Sequence, residues 1–199
     1  MRSRLSMAAV AVALTCLPHS AAAKTYKLDL EHTNVTFQIR HLFTQVDGRF
    51  DKFDGKITFD AANLADAKVS GTIDAASINT HLANRDKHLR SADFFDVAKF
   101  PSITFASSKI SDLDAKTKTG KLHGKLTMHG VTKDIVLDAA FIGEGPDSYG
   151  NRKAGFSATG KINRKDFGLN WNDTVETGGL LVGEEVEIRI SVEAYVEED

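Results

Sequence analysis

The sequence predicts an all-β protein of about eight antiparallel strands, and three observations carry that prediction. Apolar and polar residues alternate with period two through most of the chain, as in Val186, Ile188, Ile190, Val192 and Ala194 set against Glu187, Arg189, Ser191, Glu193 and Tyr195. The alternation is one-sided, which fits an antiparallel sheet with a wet outer face; a parallel sheet under helices would be apolar on both. Only the stretch from Ser77 to Asp96 abandons this period.

The first 23 residues read as a leader. Met1-Arg2-Ser3-Arg4 is basic, Met7 to Leu17 is apolar, and Ala21-Ala22-Ala23 supplies the small residues of a secretory cleavage site. The apolar run is too short for a membrane span, which needs about 20 residues. Cleavage after Ala23 leaves residues 24–199 as one domain, with room for a single core. The one cysteine, Cys16, leaves with the leader, so the mature domain holds no disulfide, thiolate nucleophile, cysteine-bound metal or covalent haem. Thr15 precedes it where a lipobox would have a small residue, which argues against lipidation. Charge is nearly balanced, 25 Lys+Arg against 27 Asp+Glu, and no single-signed field points to nucleic acid.

The strands follow in order. Val35, Phe37 and Ile39 alternate with polar residues; Val46 to Phe50 continues into Phe53, Gly55, Ile57 and Phe59 with a phase slip at Asp51-Lys52 that marks a bulge or bend. Val69, Gly71, Ile73 and Ala75 make the next strand. After Pro101 come Ile103, Phe105 and Ser107, then Leu122, Gly124, Leu126 and Met128, a turn at His129-Gly130-Val131, and Ile135, Leu137, Ala139 and Phe141. Beyond the loop at Gly143 to Asp147, Ala154, Phe156, Ala158, Gly160 and Ile162 precede the last strand.

In the exceptional stretch, Leu82, Arg85 and Leu89 fall at helical spacings, which predicts a short helix over roughly residues 80 to 90 with Asn79 or Thr80 as N-cap. Ser91 or Asp93 is placed to cap a further turn through Phe94-Phe95. One small helix cannot cover a sheet, so the architecture is a sandwich or a barrel with the helix plugging an end. Gly48, Gly55, Gly71, Gly124 and Gly160 fall in phase with the inward apolar series. Glycine inside a strand needs a reason: corners of a tightly coiled barrel, or removal of side-chain volume to leave a lumen.

Local motifs for catalysis are absent from the sequence. His32, His41, His81, His88, His123 and His129 form no paired metal-binding signature, although His81 and His88 are spaced to share a helix face. Neither a nucleophile elbow nor a phosphate-cradling glycine loop is found. The densest polar cluster is Arg85-Asp86-Lys87-His88-Leu89-Arg90. Its arginines either anchor the helix to strand ends or meet an anionic head at the mouth of a cavity, where a guanidinium suits bidentate phosphate contact. Phe167 and the lone Trp171 read as inward residues of a mixed loop.

These segments together resemble the YceI-like proteins. The similarity runs through Ser77-Ile78-Asn79-Thr80, Arg85-Asp86, His88 to Ser91, Asp93 to Asp96 and Phe100 to Phe105. It also covers Val46 to Phe50, Phe53-Asp54-Gly55, Gly124 to Thr127 with Gly130-Val131-Thr132, and Asn163 to Gly168. Thr33 stands where that pattern usually has Ser after the histidine, a change that keeps the hydroxyl.

The resemblance implies a lipocalin-like eight-stranded antiparallel barrel, exported to the periplasm, whose apolar cavity binds or transports a polyisoprenoid or another long-chain, fatty-acid-like amphiphile without catalysis. It also implies a homodimer as a form the chain adopts. The inward phase assigns Phe37, Ile39, Phe50, Gly71, Ile73, Phe105, Gly124, Leu126, Phe156 and Ile188 to the cavity wall, with Arg85, His88 and Arg90 at its mouth. No metal or other cofactor and no nucleic acid are expected. The competing expectations are an interaction module with a solidly packed barrel, and a lipid-modifying enzyme.

Overall fold

Period-two alternation does become a sheet that closes on itself. The computed structural model describes residues 23–175 and 179–197; the leader up to residue 22, with Cys16, lies outside the described residues. Strands β1 (Lys24–Leu28) and β2 (Asn34–His41) share one position in the sheet, separated by a turn. Strands β3 (Thr44–Phe50) and β4 (Phe53–Asp60) share the next, broken at Asp51 and Lys52, where the phase slips. Then come β5 (Asn63–Asp74), a 3-10 turn (Ala75–Ser77), the two-residue β6 (Ile78–Asn79) beside β3, and helix α1 (Ala83–Arg90). The remaining strands are β7 (Ser102–Asp114), β8 (Thr119–Met128), β9 (Val131–Pro146), β10 (Arg152–Asn163), the short pair β11 (Thr174–Val175) and β12 (Gly179–Leu180), and β13 (Val182–Val196).

Hydrogen bonding runs β1-β4-β5-β7-β8-β9-β10-β13 and returns to β1, all antiparallel. Of the two architectures open to the sequence, the chain therefore adopts the barrel, with eight strand positions and one helix at one end. The gap between β1 and β2 is bridged by Thr33, 5% exposed, whose hydroxyl donates to the Glu193 carbonyl at 3.0 Å and accepts from its amide at 3.3 Å. A buried backbone pair left open by the broken ladder thus regains its hydrogen bonds.

Local details differ from the sequence reading. The helix begins at Ala83, after Leu82, which caps with no side chain. Asn79 and Thr80 do not cap it; instead the Asp86 carboxylate reaches back to accept from the Thr80 amide and hydroxyl at 2.9 and 2.5 Å. His81 precedes the helix with φ of 61°, so it shares no helix face with His88. Ser91 does start the following turn, its hydroxyl accepting from the Asp93 amide at 3.3 Å while donating back to the His88 carbonyl at 2.8 Å. Strand β1 lies upstream of the alternation that the sequence makes plain.

Two apolar clusters fill the barrel ends. At the α1 end, Phe50, Ile78, Ile103, Met128, Phe167 and Leu169 pack together. At the other, Tyr26, Ile57, Phe59, Phe141 and Ala194 do so, with the Phe59 ring tilted against Tyr26 and Phe141 and edge-on to Phe156 at centroid distances of 4.7 to 5.3 Å. Most in-phase glycines do not empty the lumen. Gly48 and Gly124 leave room for the rings of Phe37 and Phe105 on neighbouring strands, and Gly160 does the same for Leu137. This is the packing of large side chains over strand glycines that coiled sheets use. Gly71 is the exception, with nothing nearer to its missing β-carbon than the Asp54 carbonyl at 3.5 Å.

Candidate functional site

Between the two clusters lies a cavity of about 630 Å³. Its size falls in the range of small-ligand sites, roughly 300–1,000 Å³. The inward residues of nearly every strand meet there because a period-two strand in a closed sheet sends alternate side chains to the axis. Val186, Ile188, Ile190 and Val192 of β13 all face it, a length of about 20 Å at roughly 3.3 Å per residue.

Nine of the ten residues assigned to the wall by phase do line the cavity: Phe37, Ile39, Phe50, Gly71, Ile73, Phe105, Leu126, Phe156 and Ile188. Gly124 does not; it faces inward, but the Phe105 ring covers it. Polar side chains gather at the α1 end, where Thr80, Asn84, Arg85 and His88 reach the cavity. His88 bonds Asp93 at 3.0 Å and meets Phe94 and Trp171 edge-on at 5.1 and 4.9 Å, so the helix, its following turn and the loop after β10 form one aromatic rim.

Both arginines of the helix are anchors. Arg90 donates Nε to the Ala76 carbonyl at 2.6 Å and Nη2 to the Ile78 carbonyl at 2.7 Å, and it does not line the cavity. Its charge-assisted bonds hold the 3-10 turn and the first residue of β6. Arg85 lines the cavity, yet its Nε and Nη2 go to the Thr80 hydroxyl and carbonyl at 2.7 and 2.6 Å. Arg90 is therefore corrected from a cavity-mouth group to a structural tie.

A different arginine, Arg164, sits deeper in the wall. It opens the 3-10 turn Arg164–Phe167, in which the Asn163 side chain caps the Lys165 amide and Gly168 closes the end in a left-handed conformation, φ 78°. Only glycine adopts that backbone without steric cost. The turn buries Phe167 and holds Arg164 at 3% exposure on the cavity wall. Its Nε donates to the Gly183 carbonyl at 2.8 Å and Nη1 to the Leu169 and Trp171 carbonyls at 2.5 and 2.8 Å. Burial pushes this guanidinium below its ordinary value, Glu184 opposing. Sequence reading missed it, although Arg164 lies two residues beyond Ile162 and so continues the inward phase of β10.

Outside the cavity, Asp29, His32 and Glu193 cluster where β1 gives way to β2, a grouping of metal-ligand type. Lys153 already supplies a cation there, its ammonium 2.8 Å from Asp29 and 3.0 Å from Glu193. Burial pushes the Asp29 carboxyl up, but hydrogen bonds from Lys153, His32 and the Glu31 amide outweigh it and lower the group to about 2. Ser111 and His123, hydrogen bonded at 2.8 Å, do not line the cavity. Among the described residues, no helix is long and apolar enough to cross a membrane.

Comparison with known proteins matches residues 26–194 to the YceI-like domain. The chain is similar to protein YceI of Escherichia coli, 44% identical over 181 residues that cover 87% of this chain and 88% of that protein. Among solved structures it resembles BcnA of Burkholderia cenocepacia, with a TM-score of 0.73 and 25% identity over 83% of this chain and 98% of that one. A polyisoprenoid binding domain from Saccharophagus degradans shares the fold at a TM-score of 0.63, 17% identical over 86% of this chain and 98% of that one.

Proposed function

The chain belongs to the YceI-like family, and from that premise we propose that it binds a long-chain amphiphilic lipid of the polyisoprenoid or fatty-acid class, tail inside the barrel, without chemical turnover. The observation that carries this reading is the apolar cavity between two packed ends. A tail laid along it gains about 25 cal/mol for each Å² of apolar surface removed from water. The cavity also favours binding over a solidly packed interaction module, and the polyisoprenoid-binding neighbour supports the lipid class.

Binding is favoured over catalysis because Thr80, Arg85 and His88 at the α1 end are engaged in holding backbone and one another or Asp93. A general acid or base needs reach to a reacting atom as well as a suitable pKa. The basic-then-apolar leader pattern supports export, and we extend the proposal to a periplasmic carrier. Purified from cells without detergent and extracted into organic solvent, the protein should release a long-chain amphiphile near one per chain by mass spectrometry. A protein that comes empty and takes up no long-chain lipid in titration overturns the proposal.

A further inference from the structure

Among the described residues, no carboxylate is hydrogen bonded to Arg164. Three carbonyls occupy Nε and Nη1, Glu184 is paired with Lys165 at 2.6 Å, and Nη2 is buried with no hydrogen-bond partner among the described residues. Such a donor is a costly thing to bury unless something else completes it. Other atoms of the residue line the cavity while Nη2 itself is covered, so a turn of the guanidinium is what brings this donor to a molecule in the lumen. Its neighbours there are apolar or aromatic, Leu169 and Trp171 among them, and a charge-assisted hydrogen bond is strengthened where water is excluded.

We propose that Arg164 reads the head group of the ligand, donating from Nη2 to an anionic oxygen acid, a phosphate monoester or a carboxylate, held next to Trp171 while the tail runs toward the Phe59 end. This rests on the cavity being the lipid site. It moves head recognition from Arg85, whose Nε and Nη2 go to Thr80, and from Arg90, which does not line the cavity, to a residue whose backbone is fixed on both sides by Asn163 and Gly168. Arg164 also ties Gly183, Leu169 and Trp171 into one rim, so the group that senses the head holds the wall around it.

The test uses the mature protein with dodecyl phosphate, dodecanoate and dodecan-1-ol, which share a tail and differ in the head. Both anions should bind at least tenfold more tightly than the alcohol, and the order of the two anions tells which acid is preferred. The variant Arg164→Gln, verified as folded by circular dichroism, should bring the three affinities within a few-fold of one another. Equal affinities in the unmodified protein overturn the role of Arg164 while leaving the cavity as a lipid site; failure of all three to bind overturns both. Should Arg164→Gln not fold, side-chain nitrogen spectra of the unmodified protein decide. The Arg164 Nε resonance should shift with either anion and not with the alcohol, and a shift confined to Arg85 overturns the assignment.

Discussion

The ring of Phe105 occupies the space that a β-carbon on Gly124 would need, with the Ala106 carbonyl 2.7 Å from the same point. The two residues lie diagonally across β7 and β8, where Phe105 pairs with Leu126 and Ser107 with Gly124. Gly124→Ala should therefore destabilise the barrel by about 1–3 kcal/mol, the usual cost of overpacking. Gly71→Ala meets only the Asp54 carbonyl at 3.5 Å and should be neutral or stabilising by up to about 1 kcal/mol, because alanine has less unfolded-state freedom to lose. Urea unfolding of the two variants side by side checks the contrast; equal losses would show that Gly71 is packed as tightly as Gly124.

Volume added at Gly71 tests the lumen itself. Gly71→Leu should fold and lose affinity for long-chain lipids, more for a longer tail than for a shorter one, since it projects into the cavity wall among Val69, Ile73 and Phe105. Titration with a series of fatty acids of rising length reads this directly. Unchanged affinity at every length would place the tail elsewhere.

Arg90→Ala removes two charge-assisted bonds to the carbonyls of Ala76 and Ile78. The expected loss in stability is about 1.5–3 kcal/mol, measured by denaturant. Selectivity between dodecyl phosphate and dodecan-1-ol should stay as in the parent, because Arg90 does not reach the cavity; a drop in that ratio would return head recognition to the helix.

Acid should loosen the seam between β1 and β2. Asp29 is held at about 2, below its ordinary 3.8, so the stability it lends is present above about pH 4 and is lost as pH falls through 2. Asp29→Asn should flatten the fall in stability between pH 4 and pH 2 while lowering stability at neutral pH. An acid limb of unchanged slope would mean that other carboxylates dominate it.

Trp171 is the one tryptophan of the chain and lines the cavity. Its fluorescence should move to shorter wavelength or change intensity on saturation with a long-chain ligand, with the same midpoint as binding measured by another method. No change at saturation would put the ligand away from this end.

Much of this molecule is written in its alternation. The inward faces of β7 to β10 and of β13 follow from period two alone, as does the break at Asp51-Lys52, because one face of each strand is buried and the other wet. Strand β1 escapes that reading: in Lys24-Thr25-Tyr26-Lys27-Leu28 the buried Tyr26 and the half-buried Leu28 leave too few residues for a period. The in-phase glycines were legible as inward but not as seats for Phe37, Phe105 and Leu137, since a ring's host is set by the register of a neighbouring strand. Arg85 and Arg90 drew attention by charge density, whereas Arg164 sat beside Lys165 and Asp166 in a mixed loop, and only the tertiary fold reveals which cation is buried in the cavity wall.

The barrel is joined along β13, which pairs with β1 at Tyr26–Val196, Lys27–Tyr195 and Leu28–Ala194 and with β2 from Ser191–Asn34 to Val182–His41, the last strand of the barrel against its first two. No closed ring exists until the C-terminal strand has been synthesised and has found the first, so joining these strands is a late event, of the long-range kind that slows folding. Before it, the future lumen is a curved open trough whose greasy face is bare, a state prone to aggregation. On the lipid-binding proposal, a hydrophobic chain already lying in that trough would cover the face and be enclosed as the last strand zips home, which would couple loading to the completion of folding.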